Sequence, residues 1–461
     1  MMNQQRFYRG SKGAVALIVA IIAFVPAQGQ TPQILSLDQA ITIALENNRD
    51  LKIARLELDN ADAQVDEALG NAYPTVDFNT RYTHNFKSPI FFLQGEDGTV
   101  RPIKVGSNNA LSADLTLQQI VFNSAVFTGV GTSKIYAQIS RQQLRAQSAD
   151  VVVKVKQAYY TALLAKEILR VNETLLANAE ANYNNTKVLY EAGLRAEFDA
   201  IRAEVAVANQ QPLIVQAQNN YRSALDGLKL LLGYENVTQV ELELEGRLIR
   251  PDASGSSEPT LEQGVAIIME RNPQLEALRL STDVNKELIE INRSDYLPTV
   301  ALFGTYKYEA QADAIGDLDF QPTLFAGLNL SLNLYNGGRT DSKVGQAQVA
   351  YEKSRYQVAQ VAAALKTQLE GTLRNIAYAR KRISAGDRTI EQAERAYKIA
   401  TTAYKAGTGT QLEINDADLA LAQARLNQLN AFYDYSIAMA ELEYLLGAHV
   451  VLQGDDVEYR P

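Results

Sequence analysis

Four stretches of the chain alternate apolar and polar residues with a period of two. In the first, Val76, Phe78, Thr80, Tyr82 and Phe86 alternate with Asp77, Asn79, Arg81, Thr83 and Asn85, as in a strand with one apolar and one polar face. The second sets Leu111, Ala113, Leu115 and Leu117 against Ser112, Asp114, Thr116 and Gln118. In the third, Val300, Leu302, Tyr306 and Tyr308 oppose Thr305, Lys307 and Glu309, with Phe303 breaking the alternation. The fourth is the most regular: Leu324, Ala326, Leu328, Leu330, Leu332 and Leu334 oppose Gly327, Asn329, Ser331 and Asn333. A strand of about 10 to 12 residues is long enough to cross a bilayer.

Between the strand pairs the pattern becomes helical. No proline interrupts Ser124 to Gln211 or Thr323 to Arg460, and the roughly 65 residues before each glycine turn predict helices about 100 Å long at 1.5 Å per residue. Small residues recur at three- and four-residue spacing (Ala200, Ala203, Ala206; Ala417, Ala420, Ala424), which suits helices packed closely side by side. On this pattern alone, a two-stranded coiled coil or a solvated helical hairpin remains open.

The chain repeats itself. Leu37-Asp38-Gln39-Ala40 through Asn48 and Pro74 matches Leu261-Glu262-Gln263-Gly264 through Asn272 and Pro298 without a gap. Tyr190-Glu191-Ala192-Gly193-Leu194 matches Tyr404-Lys405-Ala406-Gly407-Thr408, and Leu231-Leu232-Gly233 matches Leu445-Leu446-Gly447 at identical spacing, so the return helices should be equally long. A period this long indicates a duplicated domain, not a solenoid. The predicted divisions are a first repeat over 30–246, a linker over 247–259 with the composition of one, a second repeat over 260–447 and a tail over 448–461. Each repeat is expected to run helix, two strands (about 76–122 and 300–335), very long helix, glycine turn, return helix. Asp38 and Glu262 suit the first helix starts, and Pro74 and Pro298 stop those helices before the strands.

Arg6, Arg9 and Lys12 precede an apolar run from Ala14 to Val25 and an Ala27-Gln28-Gly29 triplet, which predicts a signal peptide over 1–29. The run is too short for the roughly 20 residues of a spanning helix. Net charge is −9, falling to near −12 once that segment's three cations are removed, so nucleic acid is not an expected partner. With no cysteine and only His84 and His449, disulfides, thiol chemistry, a zinc site and a Ser-His-Asp arrangement are ruled out or disfavoured. No cofactor or enzymatic activity is expected, although hydrolases using only Asp and Glu are not excluded by composition.

Backbone polar groups cannot stay unpaired in lipid, and the smallest bacterial barrels have about eight strands. Four strands cannot close, so the subunit must share its sheet with other copies. Three copies would give 12 strands, but strand count alone does not set that number. The polar face, with Asp77, Asn79, Arg81, Asp114, Gln118, Asn329 and Asn333, predicts a water-filled pore. The segment 87–108 joins the first two strands as an outward loop whose Phe91-Phe92 pair either plugs the mouth or packs on the rim.

On its duplicated plan, its four strands and its two turns, Tyr190 to Leu194 with Phe198-Asp199 behind it and Tyr404 to Thr408 with Leu412-Glu413 and Asp416, the mature sequence resembles the TolC-like outer membrane efflux proteins. That resemblance implies an α+β membrane fold: a transmembrane β-barrel shared by a homotrimer, continued by long helical hairpins as a periplasmic α-barrel. The implied setting is the outer membrane of a Gram-negative bacterium, as part of a tripartite efflux or type I secretion system. Implied partners are outer membrane lipid, a periplasmic adaptor docking at Gly193-Leu194 and Gly407-Thr408, and an inner-membrane transporter of RND, ABC or MFS type. Glu413 and Asp416 match positions that line the pore entrance, where threefold symmetry would gather six carboxylates and favour cations; the alternative is an exposed acidic face supported by the helix dipole. Asp199 and Tyr404 match positions of a closing latch. Where relatives carry a basic residue after the second turn's Gly-Thr, this chain has Gly409, so one closing link is missing. The rival reading is a non-conducting periplasmic structural or adaptor protein, against which the four membrane-type strands discriminate.

Overall fold

The computed structural model describes residues 33–94, 98–238, 240–250, 258–447, 450–453 and 456–459; the expected signal peptide and most of the linker lie outside them. The first repeat runs β1 (Gln33–Leu35), α1 (Leu37–Asn47), α2 (Arg49–Gly70), β2 (Thr75–His84), β3 (Ile90–Gln94), β4 (Val100–Lys104), β5 (Asn109–Phe122), α3 (Ser124–Glu191), α4 (Glu197–Leu231) and β6 (Leu242–Leu244). The second runs α5 (Leu261–Arg271), α6 (Pro273–Arg293), β7 (Thr299–Ala312), β8 (Gln321–Ser331), α7 (Arg339–Lys405) and α8 (Gln411–Leu445), followed by β9 (Val450–Gln453) and β10 (Asp456–Tyr459), which pair with each other.

The opening helix of each repeat, expected as one, is two. Asn48 is the reason in the first copy: its backbone is extended (ψ 133°), its N–H still closes α1 on Ala44, and its side chain accepts from the N–H groups of Asp50 and Leu51 to start α2. Asn272 does the same before Pro273, which opens α6 at a position where no N–H is needed. The long helices have 68 and 67 residues and the return helices 35 each, so the equal lengths read from the two matched spacings hold. At 1.5 Å per residue, α3 is about 100 Å long.

The core lies where the short helices meet the long ones. Ile41 and Leu51 pack with Leu144, Val155 and Tyr159 of α3 and Leu228 of α4; in the second copy Ile268 and Leu275 pack with Leu369 and Ile376 of α7 and Leu442 of α8. Phe432 touches both clusters, and a buried Lys156 pairs with Glu443 between α3 and α8. The two repeats are thereby one body. The Leu-Leu-Gly ends have a packing role in both copies: a Cβ at Gly233 would stand 2.5 Å from the Asn47 carbonyl oxygen, and one at Gly447 would stand 3.0 Å from that of Arg271.

The four predicted strands form one antiparallel sheet in the order β2-β5-β7-β8. Its register aligns Phe78, Leu115, Tyr306 and Leu324 in one row on the apolar face, and Asn79, Asp114, Lys307 and Thr323 in a row on the polar one. The apolar residues are solvent-exposed in the isolated subunit, Phe78 by 68% and Leu324 by 76%. On the polar face Asn79 donates to Asp114, Thr116 meets Thr305 at 3.2 Å, and Lys307 pairs with Glu309. Phe303, which breaks the alternation, lies on this polar face over Gly327, where a Cβ would be 2.9 Å from the ring. The regular pattern of the fourth strand outruns the strand itself, which stops at Ser331, so Leu332 and Leu334 lie beyond it.

The 87–108 segment contains an antiparallel hairpin, β3 with β4, tied at its base by Lys104 and the Asn108 N–H, both on Asp313. Phe91 and Phe92 are neighbours on β3 and face opposite sides, both exposed within the subunit.

Tyr159 joins the core to the chain's two parallel edge strands, β1 and β6, by donating to the carbonyl of Leu35 (2.9 Å) or of Glu245 (2.5 Å). Burial pushes its phenol up to about 12. Tyr159→Phe removes this donor, while the Leu35 carbonyl keeps the Glu245 N–H at 3.0 Å, and should cost about 0.5–1.5 kcal/mol of stability, measured by denaturant unfolding in detergent. A loss no larger than that of a surface Tyr→Phe control would contradict this role.

Candidate functional site

Both long hairpins turn on a left-handed glycine, Gly193 (φ 74°) and Gly407 (φ 81°). The closures are the same: Gly193 donates to the Tyr190 carbonyl and Leu194 to that of Leu189; Gly407 donates to Tyr404 and Thr408 to Ala403. Such paired bonds satisfy carbonyls that a helix end leaves open, and a side chain at either glycine would strain the backbone. Leu194 is left 70% exposed, and Thr408 is exposed beside Gly407.

Glu413 and Asp416 are both exposed, three residues apart at the start of α8, and so share a face. Glu413 has a local duty as well. The Thr410 N–H donates to Glu413 Oε2 (2.9 Å), and the Glu413 N–H donates to Thr410 Oγ1 (3.3 Å), a capping box that starts the helix. The cap leaves the carboxylate at the surface. Asp416 has no side-chain partner among the described residues.

The expected Asp199–Tyr404 pair does not form within the subunit. Tyr404 is 2% exposed, and its hydroxyl meets Thr186 Oγ1 at 3.1 Å, with Gln411 Oε1 3.5 Å beyond. The ring is buried among α3, α7 and α8, and the buried Thr186 occupies its hydroxyl. Asp199, half-buried near the start of α4, has no side-chain partner among the described residues. Thr186, Arg195 and Gln411 are the tip residues that sequence reading passed over. Arg195 carried a faint signal: a cation directly after Gly193-Leu194, in a chain with glycine at 409.

Above the tips, a groove of about 270 Å³ lies between α3, α7 and the start of α8, lined by Asn178, Asn182, Asn185, Tyr397, Thr401 and Ile414. Beside it Asn178 donates to Asp418 Oδ1 at 3.1 Å. Burial pushes the Asp418 carboxyl above its ordinary value, with the Asn178 bond and the Arg425 charge acting against that shift. Among the described residues no group of His, Asp and Glu is placed to hold a metal ion, and no helix is long and apolar enough to cross a membrane.

A duplicated subunit with long paired helices and a four-stranded sheet, apolar on one face and open at both edges, defines a class of envelope channel proteins. The family model for outer membrane efflux proteins matches residues 40–234 and 266–448, and the chain belongs to that family, whose members reside in the outer membrane. Over 347 residues it is 25% identical to the outer membrane protein TolC of Vibrio cholerae, covering 74% of this chain and 77% of that one. It is likewise 25% identical to the alkaline protease secretion protein AprF of Pseudomonas aeruginosa, covering 75% and 70%. Among solved structures, the CmeC outer membrane channel of Campylobacter jejuni superposes with a TM-score of 0.75 at 18% identity, over 92% of this chain and 86% of that one.

Because the folded-state pKa of Asp418 is raised, the group stabilises the fold while protonated, and that contribution is lost as pH rises from 3.8 through the folded value. Asp418→Asn keeps an acceptor for Asn178 and should flatten this pH dependence, with a higher Tm than the parent above that window. Parallel Tm-against-pH curves for parent and variant would contradict the assignment.

Proposed function

We propose that three copies of this chain form one outer membrane conduit, with 12 strands closing a barrel and the six long hairpins continuing it as a tunnel into the periplasm. The observation that carries this is the sheet: its apolar row is exposed in the single subunit, and the outer edges of β2 and β8 have no partner strand among the described residues. In lipid, each edge group left unpaired costs several kcal/mol, so the sheet is complete only when the edges of neighbouring copies meet. Relatives named for protease secretion and for cation efflux support export as the activity and leave the cargo to the pump.

In this reading the exposed turns, Gly193-Leu194 and Gly407-Thr408, receive the tips of a periplasmic adaptor that couples the tunnel to an inner-membrane transporter of RND, ABC or MFS type. Glycine keeps these surfaces low, and Leu194 supplies an apolar contact. Asp199, with no side-chain partner among the described residues of its own subunit, is available to a neighbouring one. Glu413 and Asp416, repeated by threefold symmetry, place six carboxylates near the tunnel entrance and favour cations.

Purified protein in planar bilayers tests both parts. The parent should run as a trimer in detergent and conduct with cation preference. Glu413→Gln with Asp416→Asn should move the reversal potential toward zero and weaken block by multivalent cations; an unaltered reversal potential would remove these carboxylates from the pore, and a monomer without conductance would remove the channel.

A further inference from the structure

The two turns of one subunit are joined by a single cation. Arg195 follows the first turn, and its Nη2 donates to the carbonyl of Tyr404 at 2.9 Å and stands 3.4 Å from that of Gly409. The same guanidinium lies 4.3 Å from the centroid of the Tyr404 ring. Three effects act together at this point. A carbonyl in the last turn of α7 carries the negative end of the helix dipole, the ring face attracts the cation, and the planar fork of arginine reaches more than one acceptor.

The second turn is shaped to receive it. A Cβ at Gly409 would stand 2.9 Å from the Tyr404 backbone nitrogen and 3.1 Å from Ala403, so only glycine lets the chain fold back against the end of α7 with its carbonyl beside Arg195. Tyr404 is itself held by Thr186 of α3. Arg202, seven residues further on and within α4, has no such reach; it stacks over Phe198 of its own hairpin.

We propose that Arg195 is the residue that latches the two helical tips of each subunit together, capping α7 from the opposite hairpin and holding the tunnel entrance narrow. The latch is a positioning contact to backbone and ring rather than a salt bridge, and it depends on glycine at 409, whose missing Cβ lets that carbonyl stand beside Arg195. Its gating consequence rests on the channel reading above.

Because the chain has no cysteine, a single thiol can report on the tip. In an Ile414→Cys background, where the parent residue is 4% exposed, maleimide labelling of the purified protein and single-channel conductance are measured together. Arg195→Met should raise the labelling rate about tenfold or more and the conductance severalfold. Arg195→Lys should fall between, since it keeps the charge and loses the fork. Arg202→Met should match the parent. Gly409→Ala, which displaces the second turn without touching Arg195, should reproduce the Arg195→Met result. Parent-level labelling in Arg195→Met would overturn the latch, as would increased labelling with unchanged conductance in a conducting parent. If the parent itself does not conduct, the channel reading falls, while the labelling ratios still decide whether Arg195 joins the tips.

Discussion

Hydrogen bonding at the edges of the sheet is the constraint on which the rest of this structure depends. Water can satisfy an open strand edge, and hydrocarbon cannot. Strands β2 and β8 stand at the two edges of a sheet whose Phe78, Leu115, Tyr306 and Leu324 face outward as one apolar row. The sheet therefore makes sense only as an arc of something larger. That requirement passes directly into the helices, because a single residue, Asn123, separates β5 from α3. Its side chain caps the helix by accepting from the Val126 N–H and also reaches Thr299 of β7. The position of the strands thus sets where α3 begins.

Duplication supplies the same solutions twice, down to individual caps. Ser36 with Gln39 and Thr260 with Gln263 form matching capping boxes, Asn48 and Asn272 restart the helix alike, and Gly233 and Gly447 admit the same close approach of backbone. The tips depart from that symmetry. Helix α8 opens with the Thr410–Glu413 capping box, whereas α4 opens at Ala196 with no side-chain cap. The first turn instead carries Arg195, and the second carries the buried Tyr404 and Gly409 that face it. One hairpin is a receiving surface and the other supplies the contact, a division that two identical copies could not make.

Much of the fold is legible in the sequence because its signals are periodic or local. Alternation with period two identified the four strands of the large sheet and their faces, the absence of proline set the lengths of the two long helices to within a few residues, the spacing of the glycine turns gave return helices of equal length although Pro212 lies inside α4, and the Tyr-x-Ala-Gly turns closed as the need for a left-handed residue requires. The split of each opening helix at Asn48 and Asn272 was missed, although an asparagine able to cap a helix stood in the sequence; a continuous helical pattern on both sides concealed it. The candidate tip residues were legible as a neighbourhood, not as pairs.

Which side chains meet was decided by tertiary structure alone. Tyr404 bonds Thr186 across 218 residues and Arg195 reaches Tyr404 across 209, separations at which neither periodicity nor a turn motif carries information. Phe303 belongs on the polar face only because Gly327 lies opposite it in the register of β7 and β8. By itself the sequence determined the long hairpins, the four strands of the large sheet, their repetition, and a sheet that one copy cannot close, because these follow from residue types at fixed spacings. Tertiary structure decided the contacts that hold the tips, because those depend on how two long helical hairpins lie against each other.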